Sequence, residues 1–177
     1  MAVLGCGGLG LIGIAILKAL GHSNIIACDI DDAKLAVAKA AGVAEVLNLK
    51  TGGAAQLLAL SGGVGLRGMI DFVGAPATSA LAVPSLQKGG RFVSVGLFGG
   101  AATIPLVALA MREIALMGSA VGSTAQIREL VALVQSGTLT LPAVQVRPLA
   151  QAEQSLRDLE AGRVTGRIVL DAMAEAD

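Results

Sequence analysis

Short apolar segments alternate with amphipathic segments along most of the chain, and this alternation predicts the elements of the fold. Apolar runs bounded by Gly, Asp or Asn are typical of buried strands, whereas apolar residues that recur every three or four positions indicate helices. The predicted strands cover residues 1–4, 24–29, 45–47, 69–73, 91–95, 113–117 and 164–170. The predicted helices cover residues 8–20, 34–41, 54–60, 76–87, 124–135 and 150–161. This order predicts an α/β protein with a doubly wound parallel sheet, covered by helices on both faces.

Two of these helices have apolar residues that the periodicity assigns to a buried face. In the first helix, this face consists of Leu9, Ile12, Gly13, Ile16, Leu17 and Leu20. In helix 124–135 it consists of Ile127, Leu130, Val131 and Val134. Asp31 is expected to cap the second helix, and Gly21 and Gly42 are expected to end the first and second helices. Residues 136–148 contain two prolines and are predicted to be extended.

The composition narrows the class of protein. The chain has 177 residues, which is the length of one domain or of one domain with an appendage. Of these residues 54% are hydrophobic and 15% are charged, which excludes disorder as the main state. Thirteen basic and thirteen acidic residues balance, so the basic surface typical of nucleic-acid binding is not expected. Two Cys and one His are too few for the usual four-ligand zinc site or for a disulfide scaffold.

The uncharged start of the chain could be mistaken for a membrane or secretion signal. Residues 1–17 contain no charged residue, but five of them are Gly and no basic residue precedes them. A spanning helix and a signal peptide are both disfavoured by these features. We expect instead a buried strand, a turn and a helix in a cytoplasmic protein that does not bind membranes and keeps both thiols reduced.

The sequence Gly5-Cys6-Gly7-Gly8-Leu9-Gly10 has the spacing G-x-G-x-x-G between a predicted strand and an amphipathic helix. In that context Gly5 permits a tight turn, Gly7 leaves room for a diphosphate, and Gly10 lets the helix pack closely. The first N–H groups of the helix would then face the anion. The turn therefore predicts a dinucleotide-binding site.

Asp29 lies nineteen positions after Gly10, at the end of the second predicted strand. A carboxylate there can accept hydrogen bonds from both ribose hydroxyls of the adenosine and would repel a 2′-phosphate, which favours NAD over NADP. The alternative is a glycine-rich turn beside a solvated Asp. Gly74, Gly96 and Gly118 also follow strand ends, where ligands bind in such sheets, although ordinary turns explain each of them singly.

Several runs, in this order, resemble the zinc-type medium-chain alcohol dehydrogenases over essentially the whole chain. The runs are VLGCGGLG, IIACDIDDAKLAVAKAAG, GMIDFVGA, LQKGGRFVSVGLFGG, IALMGSAVGS and GRVTGRIVL. The resemblance implies a Rossmann-type sheet that binds NAD, followed by a helix and a strand that belong to a second domain. It implies a cofactor-binding domain at residues 1–146 and a C-terminal segment at residues 147–177 that returns to a catalytic domain.

The resemblance also implies individual roles. Glycines 5, 7, 8 and 10 would form the diphosphate turn around Leu9, and Asp29 and Lys34 would hold the adenosine ribose. The remaining cofactor contacts would come from Val73 and Gly74 beside the adenosine, from Val95, Leu97 and Val121 at the nicotinamide carboxamide, and from Arg167 at the diphosphate. In full, the residues expected to bind the cofactor are Gly5, Gly7, Gly8, Leu9, Gly10, Asp29, Lys34, Val73, Gly74, Val95, Leu97, Val121 and Arg167.

The chain departs from the family pattern in the residues that would bind zinc. Zinc ligands in the family lie in a first domain, which would precede Met1, so zinc is expected only in a full-length form and no residue here is expected to be catalytic. Cys6 and Cys28 do not fall at family ligand positions, and His22 is expected to be a solvated loop residue. Strand 164–170 would lose its neighbours, and would pair elsewhere, fray or self-associate.

Two functions remain open from the sequence. The first is the cofactor-binding part of an NAD-dependent alcohol dehydrogenase that is inactive as an isolated chain, with NAD(H) as its ligand and a small alcohol or aldehyde as substrate of the full-length form. The second is a stand-alone module that senses NAD or mediates dimerisation. A homo-oligomer is expected in either case, because residues 114–118 form an apolar edge strand without Pro that could pair with a second chain.

Overall fold

The computed structural model describes residues 1–174 and contains eight strands and eight α-helices in that range. The strands β1–β8 are Ala2–Leu4, Ile26–Asp29, Glu45–Asn48, Leu66–Asp71, Leu86–Ser94, Ala115–Gly118, Val144–Pro148 and Arg167–Asp171. The helices α1–α8 are Gly8–Ala19, Asp32–Ala40, Ala54–Leu60, Pro76–Ser79, Ala82–Ser85, Leu106–Met111, Thr124–Gln135 and Ala152–Glu160. A 3-10 turn at Leu149–Gln151 precedes α8.

Six strands form one parallel sheet in the order β3-β2-β1-β4-β5-β6. This is the doubly wound Rossmann order, in which the chain reverses direction across the sheet between β1 and β4. The predicted α/β fold class is therefore confirmed. The carboxyl ends of β1 and β4 lie side by side, in the register Leu4 to Asp71, so the loops that follow them meet at the middle of one edge.

The core is divided between the two faces of the sheet. On one face, Leu4, Ile26 and Cys28 pack with residues of α3 and α5. On the other face, Val3 and Ala27 pack with residues of α1 and α2. This division follows from the alternation of side chains along each strand, since neighbouring residues point to opposite faces.

The C-terminal part forms a second, smaller sheet. Strands β7 and β8 pair in parallel, with Val144 beside Arg167 and Pro148 beside Asp171, and α8 connects them. Of the three outcomes expected for strand 164–170, the structure therefore shows pairing elsewhere, with β7 as its neighbour. Residues 175–177 of the expected C-terminal segment lie outside the described residues, and the domain division at residue 146 stays a prediction.

The structure differs from the local predictions in five places. The predicted helix 76–87 is broken into α4 and α5, and β5 begins at Leu86 rather than at residue 91. Helix α6 was not predicted, because its sequence LVALAM is apolar at every position and has no helical period. In α1, Leu9 and Leu20 are exposed while Leu11, Ile14 and Leu17 are buried. The face predicted for α7 is not buried in this chain, since Ile127 is 59% exposed.

Candidate functional site

The glycine turn connects β1 to α1 at the middle of the sheet edge. Gly5 has a φ of +88°, and its N–H donates to the carbonyl of Cys28 at 2.7 Å. A Cβ atom on Gly5 would lie 2.8 Å from Val73 Cγ2, and a Cβ on Gly10 would lie 1.8 Å from the carbonyl oxygen of Gly5. Larger residues would therefore separate α1 from the turn, so both glycines are required by the packing.

Gly7 differs from these two, because its side-chain direction is open. It is the N-cap residue of α1 with φ −75°, and no atom of the described chain beyond its neighbours lies within 4 Å of its ideal Cβ position. The first intrahelical bond recorded runs from Leu11 N–H to Gly7 carbonyl at 2.9 Å, and within residues 1–174 no side chain caps this end. The start of this twelve-residue helix therefore has no side-chain cap and is open at Gly7, an arrangement that suits an anion.

Asp29 ends β2 beside this turn and its carboxylate is held by three backbone N–H groups. Oδ2 accepts from Cys6 at 2.7 Å, while Oδ1 accepts from Ile30 at 2.7 Å and from Asp31 at 3.1 Å. The carboxylate therefore joins the glycine turn to β2. A carboxylate offers about four lone-pair sites, so Oδ2 still has acceptor capacity. Lys34 lies one helical turn away, with Nζ 4.0 Å from Asp31 Oδ2 and its side chain 21% exposed.

Two further loops meet at the carboxyl ends of β4 and β5. A Cβ on Gly74 would lie 1.9 Å from the carbonyl oxygen of Gly96, so the two loops are in backbone contact. Val73 is half-buried and touches the glycine turn, and Val95 N–H donates to the Asp71 carbonyl at 2.8 Å. Leu97 extends from the second loop with 92% of its surface exposed.

Val121 and Arg167 reach the site from more distant parts of the chain. Val121 follows β6, is fully exposed, and has a φ of +48°, which is strained for a β-branched residue. Arg167 begins β8, and a Cβ on Gly8 would lie 2.8 Å from Arg167 Nε and 2.6 Å from the carbonyl oxygen of Gly166. The guanidinium therefore lies at the first turn of α1, beside the uncapped N–H groups.

Most of the residues selected from the sequence are thus brought to one edge of the sheet. The structure places the glycine turn in contact with Val73, Asp29 and Arg167, and it places Gly74 against the β5 loop. The contacts described here do not join Leu9, Leu97 or Val121 to this group, and all three are exposed. Sequence reasoning missed Asp71 and Thr78, although a charged residue inside the apolar run 69–73 was a usable signal.

The two cysteines are buried on opposite faces of the sheet, Cys6 among the residues on the α1 side and Cys28 among those on the α3 side. Burial raises the pKa of the Cys6 thiol to about 12, and the Asp29 carboxylate adds to the shift. Burial likewise raises the pKa of the Cys28 thiol to about 12, with Cys6 and Asp29 adding to it. Both thiols are therefore protonated at neutral pH. Within residues 1–174, no group of three or more His, Cys, Asp or Glu side chains could hold a metal ion.

Comparison with known proteins decides the family. The sequence model of the family described as zinc-binding dehydrogenase matches residues 8–136, which is more than half of the chain. The chain belongs to this family. The match begins at the first residue of α1 and ends one residue after α7.

Individual relatives agree with this assignment. The chain is 38% identical over 120 residues to a D-xylulose reductase of Scheffersomyces stipitis, covering 67% of the chain and 33% of the relative. It is 28% identical over 172 residues to an NAD-dependent alcohol dehydrogenase of Sulfurisphaera tokodaii, covering 96% of the chain and 50% of the relative. The chain therefore spans half or less of the length of these relatives.

Among solved structures, the alcohol dehydrogenase of the archaeon Aeropyrum pernix superposes with a TM-score of 0.89 at 33% identity. The match covers 96% of this chain and 48% of that protein, so the main sheet and the small β7–β8 sheet both have counterparts in an alcohol dehydrogenase. None of the helices in residues 1–174 has the length and apolar character needed to cross a membrane.

Proposed function

We propose that this chain is the cofactor-binding part of an NAD-dependent zinc-type alcohol dehydrogenase. The observation that carries the proposal is the uncapped start of α1, which faces open space at Gly7 and lies beside the Asp29 carboxylate and the Arg167 guanidinium. A relative named as an NAD-dependent alcohol dehydrogenase aligns with 96% of the chain, which supports NAD as the cofactor.

The residues of the site offer a partner for each part of NAD. The N–H groups at the start of α1 and the Arg167 guanidinium would bind the diphosphate. Asp29 Oδ2 has the free acceptor capacity to bind a ribose hydroxyl, with Lys34 nearby, and Val73 and Gly74 would line the adenosine side. Backbone groups of Val95, Leu97 and Val121 would bind the carboxamide. NAD supplies a hydride acceptor at its nicotinamide ring when it is bound.

Zinc does not fit the residues of this chain in the same way. The two buried thiols face opposite sides of the sheet, and the described residues provide no cluster of donors. We propose that the alcohol or aldehyde and the catalytic metal are bound by residues outside this sequence, and that the isolated chain binds cofactor without turnover. Alcohol oxidation measured in a zinc-supplemented assay would contradict this part.

The position of β6 is the reason for proposing a homo-oligomer. This strand is the end of the six-stranded order, and its residue Met117 is 51% exposed. An apolar edge with free N–H and carbonyl groups can pair with a second copy. We propose a homodimer that joins two sheets through β6, with residues 1–146 as the cofactor-binding domain and residues 147–177 as the segment that contacts the catalytic part.

The cofactor proposal is tested by substitution of two glycines that resemble each other. Gly7 and Gly53 are both N-cap residues, and no atom of the described chain beyond their neighbours lies within 4 Å of either ideal Cβ. They differ in that the Gly53 N–H donates to the Gln56 side chain at 2.9 Å, which caps the start of α3. Gly7→Ala should raise the Kd for NADH, measured by fluorescence titration, about tenfold or more, the equivalent of one charge-assisted hydrogen bond. Gly53→Ala should leave it unchanged. Equal effects of the two substitutions would contradict a diphosphate at α1.

A further inference from the structure

Asp71 is a buried carboxylate that the proposed cofactor contacts do not use. It ends β4 with 0% of its surface exposed. Oδ1 accepts from Val73 N–H at 2.9 Å and from Gly74 N–H at 3.0 Å, and Oδ2 accepts from the Thr78 hydroxyl at 2.7 Å. None of the salt bridges within residues 1–174 includes it. A buried charge without a cation is tolerated only where hydrogen bonds satisfy it. These three hydrogen bonds therefore replace the hydrogen bonds to water that the carboxylate loses on burial.

The backbone of the same residue holds the second loop. The Asp71 carbonyl accepts from Val95 N–H at 2.8 Å and from Gly96 N–H at 3.0 Å. One residue therefore fixes the loop after β4 through its side chain and the loop after β5 through its main chain. The two loops are also joined directly, because Phe98 N–H donates to the Val73 carbonyl at 3.1 Å and Gly99 N–H donates to the Gly74 carbonyl at 3.0 Å.

The contact between the loops leaves little room for independent movement. A Cβ on Gly96 would lie 2.2 Å from the carbonyl carbon of Val73, and one on Gly74 would lie 1.9 Å from the Gly96 oxygen. Val73 Cγ2 in turn packs against Gly5 of the glycine turn. Because close-packed groups shift together, a displacement of Val73 is transmitted to the diphosphate turn on one side and to the β5 loop on the other.

We propose that Asp71 and Thr78 are positioning residues of the cofactor site, which set the distance between the two loops. The proposal rests on the proposed function, because it takes Val73, Gly74 and Val95 as cofactor contacts. Both residues are buried, with Asp71 0% and Thr78 7% exposed, so neither is proposed to contact the cofactor. Thr78 donates to the Asp71 carboxylate and, at 3.2 Å, accepts from Ala75 N–H, so its hydroxyl orients the carboxylate that holds Val73 and Gly74.

Thr78→Val tests this role, because it removes the hydroxyl and keeps the size of the side chain. Thr78→Ser restores the hydroxyl, and Val83→Ala is a control that removes buried volume from α5, away from these loops. We expect amide hydrogen exchange at Phe98 and Gly99 to be about tenfold faster in Thr78→Val, although Thr78 does not contact these two residues. The size of this effect corresponds to the loss of one hydrogen bond to a charged group. It should also raise the Kd for NADH and lower the fluorescence gain of NADH at saturation. Thr78→Ser should behave as wild type.

The outcomes separate this inference from the function on which it rests. Unchanged exchange at Phe98 and Gly99 in Thr78→Val, or the same increase in Val83→Ala, would overturn the coupling of the loops. Faster exchange with an unaltered NADH Kd and fluorescence would overturn the cofactor role. A wild-type chain that binds no NADH would contradict the proposed function and the cofactor role together, whereas the exchange result would still decide the coupling.

Discussion

Asp29 combines a structural role with the proposed ligand role in one side chain. Its oxygens accept hydrogen bonds from three backbone N–H groups, and one of these groups belongs to Cys6 in the glycine turn. The carboxylate therefore shapes the turn that would bind the diphosphate. Removal of the side chain would change both the turn and the ribose contact, so a substitution that keeps an acceptor oxygen is needed to separate them.

We predict that the negative charge of Asp29 sets the preference for NAD over NADP. In Asp29→Asn and Asp29→Ala, the ratio of the two Kd values should shrink by about tenfold to a hundredfold, equivalent to roughly 1.5–3 kcal/mol for hydrogen bonds to a charged group. Calorimetric titration with both cofactors measures the ratio. The Asn variant retains one acceptor oxygen for the turn, so it should be the more stable of the two. An unchanged ratio in both variants would show that the carboxylate does not face the ribose.

Among individual residues, the sequence identified those whose proposed role follows from their spacing alone. The turn glycines and Asp29 were found because the G-x-G-x-x-G spacing and the following acid are a local pattern. Asp71 and Thr78 were not found, since their contact depends on how the chain folds after β4. The open position of Gly7 and the crowded position of Gly10 also differ only in the folded chain.

At the scale of elements, periodicity located the helices better than it located their buried faces. Helix α1 is apolar at most positions, so the pattern did not distinguish the face with Leu9 and Leu20 from the face with Leu11 and Ile14. Packing against the sheet made that choice. For α7 the pattern was clear, and yet Ile127 and Val131 are exposed, because nothing in the described chain covers that face.

The edge strand β6 yields a prediction about assembly. Ser119 N–H donates to the Ser94 carbonyl at 2.9 Å, and backbone groups alternate in direction along a strand, so the N–H of Gly118 faces the open edge. Gly118→Pro should therefore convert the proposed dimer to a monomer, as measured by light scattering, while Gly118→Ala should remain dimeric. A proline variant that stays as dimeric as the parent would argue against pairing through β6.

The C-terminal unit yields a prediction about pH. Asp158 on α8 accepts from Arg147 of β7 at 2.7 Å and from Arg163 at 2.8 Å, and the hydrogen bonds from Arg147, Arg163 and Gln154 lower the pKa of its carboxyl to about 2. Because the folded pKa lies below the ordinary value of 3.8, this stabilisation is present above about pH 4 and is lost as the pH falls through about 2.

Asp158→Asn should therefore lower the melting temperature at pH 7, and the difference from wild type should narrow between about pH 4 and pH 2. Thermal unfolding followed by circular dichroism across this range measures the difference. Glu153→Gln is the control, because it breaks only the exposed pair with Arg157 and such pairs contribute little. A difference that is constant with pH would mean that the Asp158 charge does not stabilise the unit.

For the whole molecule, the alternation of strands and helices was sufficient to predict the sheet and its class. The strand order, with β1 beside β4, came from the structure, because doubly wound sheets occur in more than one order. The pairing of β7 with β8 could not be predicted from the sequence, because the same residues were equally compatible with a frayed strand or with a strand that pairs with a second copy of the chain. The chain spans 48% of the solved Aeropyrum pernix enzyme.

We propose that NAD(H) binds at the carboxyl ends of the strands, across the glycine turn. Titration of the 15N-labelled chain with NADH, followed by the amide chemical shifts in solution NMR, locates the binding site. We expect saturable shifts concentrated at Gly7, Gly8, Ile30 and Gly74, with little change at Gly65 and Arg67 on the opposite edge of the sheet. Shifts centred on that opposite edge, or no saturable shifts at all, would contradict it.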